Sequence, residues 1–76
     1  MIDRSVNIEP KTFRLVRHED ASGVSGTGVV AYGCMFADRT AVVRWCTKLA
    51  STGLYSDIDD VVDIHGHDGM TVLEWI

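Results

Sequence analysis

The feature that most constrains the fold is a long apolar hairpin over residues 27–48. Two runs rich in β-forming residues, Val29–Phe36 and Ala41–Thr47, flank a short polar break at Asp38 and Arg39. Runs of this kind on both sides of a short break are typical of two antiparallel strands joined by a tight turn. The sequence therefore predicts a β-hairpin at the centre of the chain, with Asp38 and Arg39 as its loop.

A two-residue loop fixes which side chains share a face of the sheet. Opposite residues of an antiparallel pair point to the same face, and faces alternate along each strand. The smaller and more mixed face carries Ala31, Gly33, Met35, Val42, Arg44 and Cys46. The large apolar face is predicted to be the core, and it carries Val30, Tyr32, Cys34, Phe36, Ala41, Val43 and Trp45. The two cysteines then point to opposite faces, so we expect free thiols.

Length and charge bound the class of protein. A chain of 76 residues has room for one domain, predicted over residues 1–76 with residues 1–10 as an extended N-terminal arm. The early residues carry charges that leave no apolar signal core, and no run approaches the roughly 20 apolar residues of a membrane helix. Free thiols and these absences predict a cytoplasmic protein. The net charge of −4 argues against a phosphate backbone as partner and for a basic protein surface.

Two more strands are predicted on either side of the hairpin. In Lys11–Glu19, Phe13 and Leu15 point to one face, and Arg17 follows on that face with a stem that can reach water. The closing strand is Met70–Ile76. The residues 49–55 between hairpin and helix are predicted to form a connection that bends at its glycine. In the closing strand, one predicted face carries Thr71, Leu73 and Trp75, and the other carries Val72, Glu74 and Ile76.

One short helix is predicted over Ser56–His65. Ser56 is a favourable N-cap, and Gly66 is placed to end the helix in a left-handed conformation. Aspartates crowd the first turn, where the helix dipole favours negative charge. Residues at i, i+3, i+4 and i+7 form one stripe that we expect to pack on the sheet: Ile58, Val61, Val62 and His65.

These elements predict an α+β fold. About four antiparallel strands, in the chain order β-β-β-α-β, would carry the short helix across one face. A partly open SH3-like barrel is the alternative.

The candidate chemical motifs are weak. Ala21–Gly28 holds three glycines but lacks the lysine of a phosphate-binding loop, so a tight turn is predicted. His65, His67 and Asp68 could contribute to a metal site, yet no further ligands stand at metal-binding spacing. No nucleophile elbow is present, and a core thiol is inert. We therefore predict no catalytic residue, no metal and no cofactor.

The strongest candidate for function is the acidic surface of the predicted helix. Its members are spaced by three or four residues, so several carboxylates share the outer surface. They are Asp57, Asp59, Asp60 and Asp63. We expect them to meet lysine and arginine side chains of a partner protein. An ordinary solvated helix face is the alternative.

Several short motifs carry a resemblance to a known family. They are the segment Ser22–Gly28, Phe36-Ala-Asp38 with Arg44-Trp45, Ser51-Thr52 with Tyr55, and Ile64–Gly69 with Trp75. In these motifs the chain resembles small uncharacterised proteins of bacterial, archaeal, phage and prophage genomes. That family usually has glycine where this chain has Arg39. Arginine is strained at a positive-φ turn position, so a wider loop is expected here.

A phage setting makes a small acidic protein similar in kind to anti-CRISPR inhibitors. The predicted function is therefore a non-enzymatic protein-binding module, docking on a basic surface of a host nucleoprotein complex, with no direct nucleic-acid or membrane contact. The alternatives are a small metal- or thiol-dependent enzyme and a phage structural or accessory protein.

Overall fold

Five strands and one helix occupy the part of the chain that the computed structural model describes, residues 9–18, 27–66 and 69–76. The strands pair antiparallel in the order β4-β3-β2-β1-β5, and β4 and β5 form the two edges of an open sheet. The α+β class with an antiparallel sheet and one short helix is confirmed. The elements are β1 Lys11–Arg17, β2 Gly28–Met35, β3 Ala41–Trp45, β4 Thr52–Tyr55, α1 Ile58–His65 and β5 Thr71–Trp75.

The core lies between α1 and one face of the sheet. Phe13 is fully buried and stands opposite Gly33 of β2, where the absent side chain leaves room for the phenyl ring. The ring also meets the edge of Trp75 on β5, with ring centroids 5.6 Å apart. The buried apolar residues are Phe13, Leu15, Val30, Ala31, Ala41, Val43, Ile58 and Val61.

The central hairpin is present, but its loop is one residue longer than the break predicts. Phe36 and Thr40 close it through a backbone bond of 2.8 Å, and the Arg39 N–H donates to the Phe36 carbonyl at 2.9 Å. Arg39 takes a φ of 74°. A turn followed by one left-handed residue is a common three-residue hairpin connection. The loop is thus wider, as expected, and the two-residue loop is wrong. The reason given for the wider loop is wrong as well, because Arg39 adopts a positive φ within it.

The longer loop changes which face β2 presents to the core. Tyr32 now lies opposite Arg44 and Cys34 opposite Val42, so Tyr32 and Cys34 point away from α1. The face with Ala31, Gly33 and Met35 packs inward in its place, because a slip of one residue exchanges the two faces. Val30 is also buried, at the irregularity between β1 and β2 where the register shifts.

Both cysteines are free thiols, for a different reason from the predicted one. Cys34 pairs with Val42, and Cys46 lies four residues after Val42, directly beyond the end of β3. At about 3.3 Å per residue, their backbones are separated by roughly 13 Å. That distance exceeds the span of a disulfide.

The connection between hairpin and helix contains a strand that the sequence does not predict. Thr52–Tyr55 pairs with β3 as β4, with Leu54 opposite Val42. The segment is only four residues long and contains Gly53, so it gives too short a pattern to predict a strand, and pairing with β3 determines its conformation.

The helix begins later than predicted. Asp57, and not Ser56, is the N-cap, and its side chain accepts the Asp59 N–H. Gly66 ends the helix in a right-handed conformation at φ −67°, so the left-handed cap is also wrong. Its N–H still donates to the Val62 carbonyl at 2.8 Å, four residues earlier, as in the helix before it.

Arg17 is buried, whereas the sequence predicts that its side chain reaches water. It is 7% exposed at the end of β1, opposite Thr71 of β5. Its Nε donates to the Thr71 hydroxyl at 3.1 Å. The predicted faces of β5 are confirmed by this pairing and by the partly buried Leu73 opposite Leu15.

Some predictions lie outside the described residues. They concern most of the N-terminal arm, most of the glycine-rich turn, and the pair His67 and Asp68. Within the described ranges, no helix is long and apolar enough to cross a membrane.

Candidate functional site

The site begins at the hairpin loop, which lies against the start of the helix. The Asp38 carboxylate accepts the Thr40 hydroxyl at 2.6 Å and the Thr40 N–H at 3.0 Å. These hydrogen bonds, the side-chain bond first, lower the pKa of Asp38. They hold the loop in its turn conformation, in which the neighbouring Arg39 side chain points towards α1.

Arg39 binds the N-cap of the helix. Its Nε donates to Asp57 Oδ1 at 2.8 Å, and its Nη2 donates to Asp57 Oδ2 at 3.1 Å. The same Nη2 lies 3.2 Å from Asp59 Oδ2. A guanidinium fork that grips one carboxylate with two N–H groups is a well-defined geometry.

This arrangement shifts the pKa values of both partners. The hydrogen bonds from Arg39, with the Asp59 N–H as a second donor, lower the pKa of Asp57. The same contact with Asp57 raises the pKa of Arg39. Asp57 is therefore charged at neutral pH and is committed to capping the helix and holding the loop.

The four predicted aspartates thus fall into two groups. Asp57 and Asp59 contact Arg39. Asp60 and Asp63 are exposed and form no ion pair with the residues that the structure describes. Two carboxylates on the helix are therefore unneutralised, and a third is shared with Arg39.

Two exposed apolar side chains border these carboxylates, and the sequence pattern missed them. Val62 is 48% exposed and Ile64 is 60% exposed, whereas Val61 is fully buried. The prediction that Val62 packs on the sheet is wrong, because only the narrower stripe centred on Ile58 and Val61 meets the core. Ile64 does not fall at the helical spacings of three, four or seven residues from Ile58, and this was the sequence signal that it would be exposed.

At about 100° per residue, the outer side of α1 can be traced around the helix axis. Val62 lies on one flank, Ile64 lies on the other, and the three acidic residues lie between them. We call this set the acidic helix face: Asp59, Asp60, Val62, Asp63 and Ile64.

The other end of the helix is fixed by an aromatic cluster. The Tyr55 hydroxyl and His65 Nε2 are 2.7 Å apart, and the Trp45 and His65 rings meet edge-on at 4.7 Å. His65 is thus part of the packing between α1 and the sheet. Among the described residues, no group of three His, Cys, Asp or Glu side chains is placed to hold a metal ion.

A shallow groove of about 320 Å³ lies next to the hairpin loop and the end of β4. Its walls are mostly apolar. It is lined by Phe36, Thr40, Ala41, Val42, Leu54, Tyr55 and Ser56. No carboxylate, imidazole or thiol is among these lining residues.

Comparison with known proteins places the chain in a family. Neither the curated proteins nor the solved structures contain a match to it. A family model described as Acb5 phage protein matches residues 10–76, well over half of the chain. The protein therefore belongs to the Acb5 phage protein family.

Proposed function

We propose that this phage protein is a non-enzymatic binding module that docks its acidic helix face on a basic surface of a host protein. The observation that carries the proposal is the exposure of Val62 and Ile64 on the two flanks of Asp59, Asp60 and Asp63. Val62 and Ile64 add apolar surface on both sides of the charges, which a partner could bury. Apolar groups among charged ones are typical of surfaces that become buried on binding.

The acidic helix face has carboxylates at its centre and aliphatic side chains on its flanks, and this arrangement is complementary to lysine and arginine side chains. These residues carry a charged head on an aliphatic stem, and the stem packs on apolar surface. A partner's basic heads would meet the central carboxylates, and their stems would pack on Val62 or Ile64. The arrangement supports a partner rich in exposed lysine and arginine.

The phage family supplies the setting. Basic protein surfaces in host nucleoprotein complexes hold nucleic acid through phosphate contacts. An acidic face that occupies such a surface would compete with the nucleic acid, which is how an inhibitor of the anti-CRISPR kind could act. We therefore infer a cytoplasmic inhibitor whose partner is a protein and whose action needs no cofactor.

The test uses the full chain as bait on host lysate, with helix variants beside it. Asp57 is left intact, because it caps the helix and holds Arg39. The triple variant Asp59→Asn, Asp60→Asn and Asp63→Asn should lose the proteins that the wild type captures. The control carries Glu9→Gln, which removes an exposed charge outside α1, and this variant should still capture the same proteins. Capture of the same proteins by the triple variant would refute the proposal.

A further inference from the structure

The face of the sheet opposite α1 carries a continuous row of polar and aromatic side chains. The register places one residue of every strand in this row. We call it the outer row, and it runs from β5 to β4: Glu74, Arg14, Tyr32, Arg44 and Thr52. Tyr32 is at its centre, 49% exposed, with an arginine on each neighbouring strand.

Both arginines are oriented by a neighbour in the same row. Arg14 Nε donates to Glu74 Oε1 at 2.9 Å, and Arg44 Nη1 donates to the Thr52 hydroxyl at 3.0 Å. A guanidinium has five N–H donors, so each arginine keeps others for a ligand. With neighbouring strands about 4.8 Å apart, the two arginine backbones flank Tyr32 at about that distance on each side.

The net charge of the whole chain hides a difference between two surfaces of the fold. The row carries two guanidinium groups and one carboxylate, whereas the acidic helix face lies on the opposite side of the core. The net charge of −4 predicted no direct nucleic-acid contact, but that argument assumes that the charge is evenly spread. The outer row has a net charge of +1, in contrast to the negative charge of the acidic helix face.

We propose that the outer row binds single-stranded nucleic acid. An unpaired base would stack on the exposed ring of Tyr32, and phosphate oxygens would accept from Arg14 and Arg44. Aromatic side chains on open sheets stack bases in this way, with cationic groups following the backbone. A duplex would offer no unpaired base for Tyr32 to stack on, so we expect it to bind much more weakly. This surface is distinct from the acidic helix face, so the proposal stands or falls independently of the proposed function.

The test is binding of fluorescent twelve-nucleotide DNA and RNA single strands, measured by anisotropy from about 20 to 200 mM salt. Binding should be strongest at low salt and much weaker for the matching duplex. Tyr32→Ala should weaken it about tenfold, in the range for one stacked base, and Tyr32→Phe should retain it. Arg44→Gln should weaken binding and reduce the slope of log affinity against log salt by about 0.7.

The matched control is Lys48→Gln, which removes the same charge from an exposed loop position outside the row. It should bind as the wild type does. Comparable melting temperatures of the variants show that the fold is kept, and Arg44→Gln still tests the row if Tyr32→Ala unfolds. Absence of binding at low salt, or equal losses for Lys48→Gln and Arg44→Gln, would overturn the proposal.

Discussion

The pair Val61→Ala and Val62→Ala separates the buried stripe of α1 from its exposed flank. Val61 is fully buried against the sheet and Val62 is 48% exposed. Each substitution removes two methyl groups and gives the same gain in helix propensity, at most about 0.7 kcal/mol. The pair therefore differs mainly in burial.

The expected cost of Val61→Ala follows from that burial. Two buried methyl groups contribute about 1.6 kcal/mol of transfer free energy, and the cavity beneath the helix adds to it. After the gain in propensity, the free energy of unfolding should fall by about 1.5–2.5 kcal/mol. For a domain of this size the melting temperature should drop by about 6–20 °C. Val62→Ala should change the free energy of unfolding by less than about 0.5 kcal/mol.

Urea unfolding followed by circular dichroism measures both values, and an unchanged m-value shows that the same surface unfolds. The reasoning would be refuted if Val62→Ala destabilised the domain as much as Val61→Ala does. Val62 would then be part of the core, as the sequence pattern predicted, and the acidic helix face would lose one of its apolar flanks.

Three further predictions follow from other parts of the fold. Gly33→Ala should destabilise the domain by about 1–3 kcal/mol in urea unfolding, because its methyl group would overlap the Phe13 ring and the Val42 carbonyl. Arg39→Gln should lower the melting temperature at neutral pH, with the difference from wild type shrinking as pH falls below the ordinary Asp pKa of 3.8. The reason is that the lowered pKa of Asp57 stabilises the fold above that value and the contribution is lost as Asp57 is protonated. Mass spectrometry of freshly purified, non-reduced protein should find both thiols unpaired, and an intramolecular disulfide would contradict the register of β2 and β3.

The sequence predicts most of the fold because periodicity reports burial directly. Alternation in β1 and β5 identifies the inward positions of Phe13, Leu15 and Leu73, and helical spacing identifies Ile58 and Val61. These positions depend only on local geometry. The same holds for the polar break that marks the hairpin turn.

The errors arise where distant parts of the chain decide the local structure. Asp57 and Ser56 are both favourable caps, and Arg39, eighteen residues away, contacts the first of them. The three-residue loop requires Arg39 to adopt a positive φ. The one extra loop residue shifts the register, so that the opposite face of β2 points to the core. The outer row around Tyr32 was hidden for the same reason, because the predicted register placed Tyr32 in the core.

The predicted acidic site was visible in the sequence only in part. The spacing of the aspartates showed that several carboxylates share one side of the helix. It could not show which of them Arg39 holds, since that contact joins two separate segments of the chain. Nor could it show the width of the buried stripe, which depends on how much of α1 the sheet covers.

The most direct test of the proposed docking surface is the binding kinetics of the captured host protein across salt concentrations. Asp60→Asn with Asp63→Asn should lower the association rate at low salt and match the wild type near 1 M salt, where the Debye length is about 3 Å. Val62→Ala with Ile64→Ala should instead raise the dissociation rate at every salt concentration, because apolar contacts are not screened. If both double variants bind with wild-type rates from low to high salt, the acidic helix face is not the docking surface.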